Sequence, residues 1–180
     1  MDMVCALLFL TLLIKPLRDR SKLLFVMFCS LDRPEDRPLT LVWLYTQFIA
    51  SYLVLIPLLV YFESHDMLPL LMIIIIANGV GDGLAEPLGI RFGKRKYTTY
   101  ALFTKEKYVR SYVGSACVFV TTFFAILAFQ QYFNSTQLIV ALITIPILIT
   151  LAEAFSPHTW DSPLIYAVGG VSMMSIIIFF

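Results

Sequence analysis

The chain has 180 residues, of which 59% are hydrophobic and only 14% are charged, with a formal net charge of +1. Soluble domains carry roughly 25% charged residues, so this composition excludes a soluble globular protein and predicts an integral membrane protein. At about 20 residues per crossing, the length predicts a single membrane domain, residues 1–180, without a separate soluble domain. No nucleic-acid partner is expected.

The apolar runs predict an all-α polytopic membrane protein with about six transmembrane helices, the first of them short. The first run, Val4–Ile14, is short for a full crossing, so the chain could lack N-terminal helices of a longer protein. A charged connector follows and contains a nine-residue apolar run, Leu23–Leu31, that could lie in the membrane interface. The five remaining predicted spans are Leu41–Phe62, Met67–Ile90, Val113–Phe133, Leu138–Phe155 and Leu164–Phe180.

The basic residues predict the orientation of these spans. Six of the thirteen Lys and Arg residues lie between Lys15 and Arg37, and seven lie between Arg91 and Arg110. The short turns at 63–66 and 134–137 carry none. With the predicted spans, both basic segments lie on one side of the membrane, which the positive-inside rule identifies as cytoplasmic or stromal.

Three polar residues interrupt the end of the second predicted span. Asn78, Asp82 and Glu86 are spaced four apart, so on a helix they lie along one face. A charged side chain inside a span costs about 2.5–3.5 kcal/mol on insertion scales, which favours a functional role. The alternative is a helix-packing network, because neighbouring glycines form two G-x-x-x-G pairs that permit close contact: Gly79 with Gly83, and Gly89 with Gly93.

The predicted topology brings further polar residues to the same membrane face, which suggests a site for a magnesium-bound polyphosphate. Mg²⁺ takes one or two carboxylates, here Asp82 and Glu86, and phosphate oxygens complete its coordination. Gly114 and Ser115 begin a span, where backbone N–H groups and the helix dipole favour an anion. The basic segment could instead serve orientation or contact with anionic lipid, and Asp161 could be only a helix N-cap.

Three ordered motifs resemble those of a known enzyme family. Residues 81–97, GDGLAEPLGIRFGKRKY, resemble the G-D-x-x-A-x-x-x-G-x-x-F/Y-G-K signature of the CTP-dependent polyprenol kinases. This family includes the dolichol, phytol and farnesol kinases and is related to CTP-dependent diacylglycerol kinase. Residues 110–115, RSYVGS, are similar to the family's K/R-S-x-E-G-S, with Val113 in place of the usual acid.

The third motif and the N-terminal segment extend this resemblance. Glu153–His158 with Asp161 is similar to the family's E-x-x-x-P segment leading to an aspartate, and Asp32–Trp43 looks like the phytol-kinase branch. The resemblance implies transfer of the γ-phosphoryl group of CTP, with Mg²⁺, to an isoprenoid alcohol such as phytol that is dissolved in the membrane.

The resemblance also implies roles for individual residues. Asp82, Glu153 and Asp161 would be catalytic, with Glu153 or Asp161 orienting or deprotonating the alcohol, and Asp82 and Glu86 would bind the metal. The nucleotide would be bound by Asn78, Gly81, Gly83, Glu86, Lys94, Lys96, Arg110, Gly114 and Ser115.

Two alternatives stay open from the sequence. A phosphatidate cytidylyltransferase-like enzyme would transfer CMP to a lipid phosphate, although its usual K-D and P-G-H-G-G-like motifs are absent. A small transporter or structural membrane subunit would use intramembrane acids to carry ions. Against the second alternative, the acids cluster at one face of the membrane and do not cross it.

Overall fold

A computed structural model of the protein describes residues 2–32, 36–100, 102, 107–157 and 160–180. The protein is 80% helical, which confirms the predicted all-α membrane fold. The chain forms two compact units, Met1–Leu53 and Val54–Phe180. The boundary between them falls within one long helix.

The first unit contains three helices and the first half of a fourth. They are α1 (Asp2–Leu12), α2 (Lys15–Arg18), α3 (Lys22–Leu31) and α4 (Thr40–Ser64). Helix α3 covers the apolar run that the sequence places in the connector. The carboxylate of Asp32, just after α3, accepts hydrogen bonds from Thr40 Oγ1 at 2.6 Å and from Arg37 Nε at 2.8 Å. These bonds join the end of α3 to the start of α4.

Among its described residues, the second unit contains the rest of α4 and five further α-helices. One continuous helical stretch comprises α5 (Leu68–Ile76), a π-helical segment (Ala77–Asp82) and α6 (Gly83–Phe92). It is followed by the strands β1 (Lys96–Tyr100) and β2 (Lys107–Ser111), and then by α7 (Tyr112–Ala128), α8 (Ser135–Phe155) and α9 (Asp161–Phe179).

Four of the described helical stretches are long and apolar enough to cross a membrane. They are Thr40–Ser64, Leu68–Phe92, Ser135–Phe155 and Asp161–Phe179. The predicted span Val113–Phe133 is shorter than expected: α7 has 17 residues and ends at Ala128, before a 3₁₀ turn at Gln130–Tyr132. Four of the about six predicted spans are therefore long enough in the structure, and the remaining two stay a prediction.

The core of the second unit lies where α5, α8 and α9 pack together. Ile74, Ile149 and Ile165 are fully buried there. A Cβ at Gly169 would lie 3.0 Å from Ile74 and 3.1 Å from Ile149, so the glycine lets α9 approach both helices. These contacts between α5, α8 and α9 are apolar, as expected for helices whose outer faces contact lipid.

The second basic segment contains a β-hairpin that was not predicted from the sequence. Strands β1 and β2 pair antiparallel, with Tyr97 opposite Arg110 and Thr99 opposite Tyr108. These four side chains are partly or fully buried, whereas the alternate residues are mostly exposed, as the period of two in a strand requires. One face of the hairpin therefore packs against the helices.

Candidate functional site

The first and second motifs pack directly against each other along α6 and α7. Gly81, Ala85 and Gly89 are buried and lie four residues apart, so they form one seam facing α7. A Cβ at Gly81 would lie 3.3 Å from the Cα of Val118, and a Cβ at Gly89 would overlap the Oγ of Ser111. The two helices are antiparallel, and small residues permit their close approach.

Gly79 and Gly83 lie outside this seam. A Cβ built at Gly79 or Gly83 would meet no other atom within 4 Å among the described residues. Among the described residues, the helices therefore do not require glycine at position 79 or 83 for close approach, so these contacts do not support the interpretation of Gly79 and Gly83 as a helix-packing pair. Gly93, in contrast, continues the seam, because a Cβ there would overlap the carbonyl oxygen of Gly89 and lie 2.9 Å from the Cβ of Ser111. The face of Gly79 and Gly83 is open to a ligand or to the surroundings.

The polar stripe lies beside the seam, on a helical stretch that is not regular. Residues Ala77–Asp82 form a π-helix, a conformation that is frequent at functional sites. Asn78 and Asp82 are half-buried, and Glu86 is exposed one turn further on. Asn78 Nδ2 donates a 3.0 Å hydrogen bond to the hydroxyl of Tyr166. Its Oδ1 is buried and has no hydrogen-bond partner among the described residues.

The start of α9 lies beyond Asn78, in the direction of Asp82. Helix α9 runs antiparallel to α5, because Gly169 meets Ile74 while Tyr166 meets Asn78 further along. The first turn of α9, which contains Asp161, lies further in this same direction. Carboxylates of the first and third motifs therefore approach the same end of the bundle.

An ion pair joins the second and third motifs. Arg110, near the end of β2, places Nη1 2.8 Å from Oε1 of Glu153, near the end of α8. The Glu153 side chain is only 3% exposed and the Arg110 side chain 21% exposed. Among the described residues, neither Oε2 of Glu153 nor Nε of Arg110 has a hydrogen-bond partner. Each charge therefore depends on the other for its neutralisation.

The hairpin covers the last carbonyl groups of α8. Thr99 Oγ1 donates to the Ala154 carbonyl at 2.8 Å, and the Leu102 N–H donates to the Phe155 carbonyl at 2.9 Å. Arg110 Nη2 donates to Ser156 Oγ at 3.2 Å. Helix ends leave carbonyls without intrahelical partners, so the hairpin acts as a C-terminal cap for α8.

The groups at the start of α7 that were predicted to bind an anion already form hydrogen bonds within the chain. Ser111 is the N-cap, and its Oγ accepts a 3.0 Å hydrogen bond from the Gly114 N–H. The hydroxyl of Ser115 is hydrogen-bonded to the hydroxyl of Tyr97. The Tyr112 N–H donates to the Arg95 carbonyl. To bind a phosphate, Gly114 and Ser115 would have to exchange these partners.

The basic side chains that were predicted to bind phosphate do not all lie on the same face of the hairpin. Lys96 lies opposite Ser111 in the hairpin register, on the exposed face, whereas Arg110 lies on the packed face. Lys94 follows the end of α6 and is also exposed. Arg110 is thus separated from the two lysines, which remain accessible for a charged ligand outside the packed hairpin face.

Tyr97 lies next to the ion pair and was not singled out from the sequence. Burial raises the pKa of its hydroxyl, while the hydrogen bond from Ser115 opposes the increase and the Glu153 carboxylate adds to it. Its ring contacts the Tyr112 ring at a centroid distance of 4.9 Å. Tyr97 therefore remains neutral and serves as a hydrogen-bonding link between β1 and α7.

The carboxylates of Asp82 and Glu86 are the type of ligand that Mg²⁺ prefers, but they are too few to hold the ion by themselves. Among the described residues, no group of three or more His, Cys, Asp or Glu side chains is close enough to hold a metal ion. Asp82 and Glu86 could contribute oxygen ligands from successive turns, and phosphate oxygens would have to supply others. The open face at Gly79 and Gly83 leaves room for such a ligand.

The start of α9 differs in one detail from the prediction that Asp161 could be its N-cap. Asp161 is the first residue of α9, not its N-cap, which is Trp160. Its carboxylate accepts a hydrogen bond from the Ser162 N–H at 3.1 Å. His158, which the sequence brings into this motif, lies outside the described residues.

Sequence reasoning missed the residues that hold the site together, namely Tyr97, Thr99, Ser156 and Tyr166. The two strands did carry a signal, because KYTTY and KYVRS combine aromatic and β-branched residues in alternation. The partners of Ser156 and Tyr166 follow from tertiary packing and have no local signal.

The fold and the site together define a helical membrane protein with a polar, charged cluster at one end of its bundle. No family model matches the chain, and comparisons with curated proteins and with solved structures also give no match.

Proposed function

We propose that this protein is a membrane lipid kinase that transfers the γ-phosphoryl group of CTP to an isoprenoid alcohol such as phytol. One observation carries the proposal: the three motifs that resemble those of the polyprenol kinases lie together at one end of the second unit. Ser111 packs on Gly89, and Arg110 pairs with Glu153. Three distant segments of a helix-packing protein would have no need to bring buried charges together.

The reaction requires a polar site beside an apolar one. The hydroxyl oxygen of the alcohol forms a bond to the γ-phosphorus, the bond from that phosphorus to CDP breaks, and the hydroxyl proton passes to a carboxylate. Catalysis of phosphoryl transfer depends mainly on positioning and on charge neutralisation. Val80, just before the first motif, and Leu84 and Ile90 within it have exposed apolar side chains that could contact the isoprenoid chain within the bilayer.

Asp82 and Glu86 are the proposed magnesium ligands, with Asn78 beside them. When bound, Mg²⁺ would neutralise phosphate charge. The buried Oδ1 of Asn78, which has no hydrogen-bond partner in the part of the chain that the structure describes, could accept a hydrogen bond from the nucleotide after a small side-chain movement. Lys94 and Lys96 are exposed cations that would attract the phosphates. The hydroxyl group would be oriented by Glu153 or Asp161.

The proposed membrane topology places the reaction at the cytoplasmic or stromal face of a multi-pass protein. All thirteen Lys and Arg residues fall in the two basic segments, 15–37 and 91–110, and the turns at 63–66 and 134–137 carry none. Under the positive-inside rule, this distribution supports entry of the nucleotide from that face and of the alcohol from the bilayer.

The test is transfer of label from γ-labelled CTP to lipid by the purified protein in detergent. Phytol, geranylgeraniol and dolichol are offered separately, with and without a magnesium chelator. The proposal predicts a labelled prenyl phosphate that requires the metal. A folded protein that labels none of these alcohols would contradict it.

A further inference from the structure

We infer that Glu153 is a positioning residue, not the base: with Arg110 it forms a pin that holds the hairpin and the start of α7 on the end of α8. The inference rests on the proposed function, because it assigns a role within that site. It leaves Asp161 as the carboxylate that receives the hydroxyl proton. The pin consists of Arg110, Glu153 and the Ser156 hydroxyl.

The low accessibility of its carboxylate argues against Glu153 as the general base. A general base must reach the proton that it removes, directly or through one water molecule. The Oε1 of Glu153 is held by Arg110, and Oε2 is buried, as is Nε of Arg110. Asp161, in contrast, is half-buried at the first turn of α9.

The hydrogen bonds around the pin explain what it positions. Arg110 immediately precedes Ser111, whose hydroxyl caps α7 and fills the space above Gly89. Arg110 also reaches Ser156, whose hydroxyl donates to the Glu153 carbonyl at 2.9 Å. Displacement of Arg110 would therefore move the junction of α6 and α7, which carries Asp82 and Glu86 on its neighbouring face.

The decisive experiment compares four variants by kcat, by KM for CTP and by the pH profile of phytol phosphorylation. In Glu153→Gln the amide oxygen can still accept the hydrogen bond from Arg110, at roughly half the strength of a charge-assisted one. We expect its kcat to remain within about tenfold of wild type, with the acidic limb of the profile retained. Loss of a base would instead lower kcat by about 10²- to 10⁴-fold and remove that limb.

Two single variants and their combination test the pin itself. Arg110→Met and Glu153→Met each leave one buried charge without its partner, so both should lower kcat and the melting temperature. The double variant removes both charges, and well-packed apolar replacements of buried ion pairs are often tolerated. We expect it to recover most of the loss in both quantities. An inactive but stable double variant would overturn the inference.

A second readout separates failure of the inference from failure of the proposed function. Hydrogen exchange of the amides in Lys96–Tyr100 and Lys107–Ser111 reports docking of the hairpin without any activity. Faster exchange in each single variant and restored protection in the double variant would support the pin even if no alcohol were phosphorylated. Unchanged exchange in the single variants would overturn the pin, whatever the kinase assay gave.

Discussion

The Oγ atom of Ser111 occupies the space that a side chain at Gly89 would need. The same Oγ accepts the hydrogen bond from the Gly114 N–H that caps α7. One hydroxyl group therefore fixes both the start of α7 and its distance from α6. The contact couples the first motif to the second through a position at which only glycine fits.

This contact predicts a large effect of a single methyl group. Gly89→Ala should lower the free energy of unfolding by about 1–3 kcal/mol, because the added Cβ overlaps the Ser111 hydroxyl and displaces a helix cap. Gly83→Ala is the matched control on the same helix, because no side chain or neighbouring helix in the described structure lies within 4 Å of a Cβ at this position. Its stability should be equal or up to about 1 kcal/mol greater, because alanine favours helix. Equal stability loss in the two variants would show that the seam does not control packing.

The hairpin cap on α8 predicts a difference between two adjacent threonines. Thr99 is buried and donates to the Ala154 carbonyl, whereas Thr98 lies on the exposed face of the same strand. Thr99→Val should lower the free energy of unfolding by about 1–3 kcal/mol, since it leaves a buried carbonyl without its donor. Thr98→Val makes the same chemical change without this loss. Chemical denaturation in detergent measures both, and identical stabilities would refute the cap.

The sequence predicted the helices because their apolar runs are long. Leu138–Phe155 and Leu41–Phe62 agree closely with α8 and α4, and the helical fold follows from composition alone. The π-helix at Ala77–Asp82 was not predicted, since the four-residue spacing of its polar side chains suggests an ordinary α-helix. Its glycines weaken α-helical preference, but this signal does not specify an alternative.

The site was predicted only in part, for a physical reason. Motif residues such as Asp82, Arg110 and Glu153 stood out because charges are rare in so apolar a chain. Their pairing depends on how β2 docks onto α8, which is a tertiary relationship between distant segments. The hairpin went unrecognised because its basic residues suggested a solvated loop, although Tyr97 and Thr99 alternate with exposed positions.

The junction between α3 and α4 predicts a dependence of stability on pH. The hydrogen bond from Thr40 holds the pKa of Asp32 below its usual range, and Arg37 adds to this effect. Since the folded pKa is below the unfolded one, this stabilisation is present above the unfolded value, near 3.9, and is lost as pH falls through the folded value. Asp32→Asn should remove this contribution.

The measurement is the difference in melting temperature between wild type and Asp32→Asn as a function of pH. It should be largest near neutrality and shrink towards acid. Thr40→Val should reduce the same difference, because it removes the main cause of the pKa shift. A difference that stays constant down to pH 2 would contradict the linkage.

Asp82 is the proposed centre of the nucleotide site, so its charge should matter more than that of other aspartates. Asp82→Asn should abolish phosphoryl transfer and the increase in melting temperature that Mg–CTP produces by binding the folded state. Asp66→Asn is the matched control, because Asp66 is exposed in the turn before α5. Asparagine tolerates its positive φ of 56°. Equal activity losses in the two variants would argue against a specific role for Asp82.

The most direct test of the kinase reaction compares α-labelled with γ-labelled CTP in parallel, with phytol and phosphatidate as separate acceptors. The account predicts label in phytyl phosphate from γ-labelled CTP alone, with unlabelled phosphatidate in every reaction. Label in a lipid product from α-labelled CTP would instead mean CMP transfer and would contradict the kinase assignment. Absence of label from either nucleotide, in protein shown to be folded, would contradict a nucleotide-dependent function altogether.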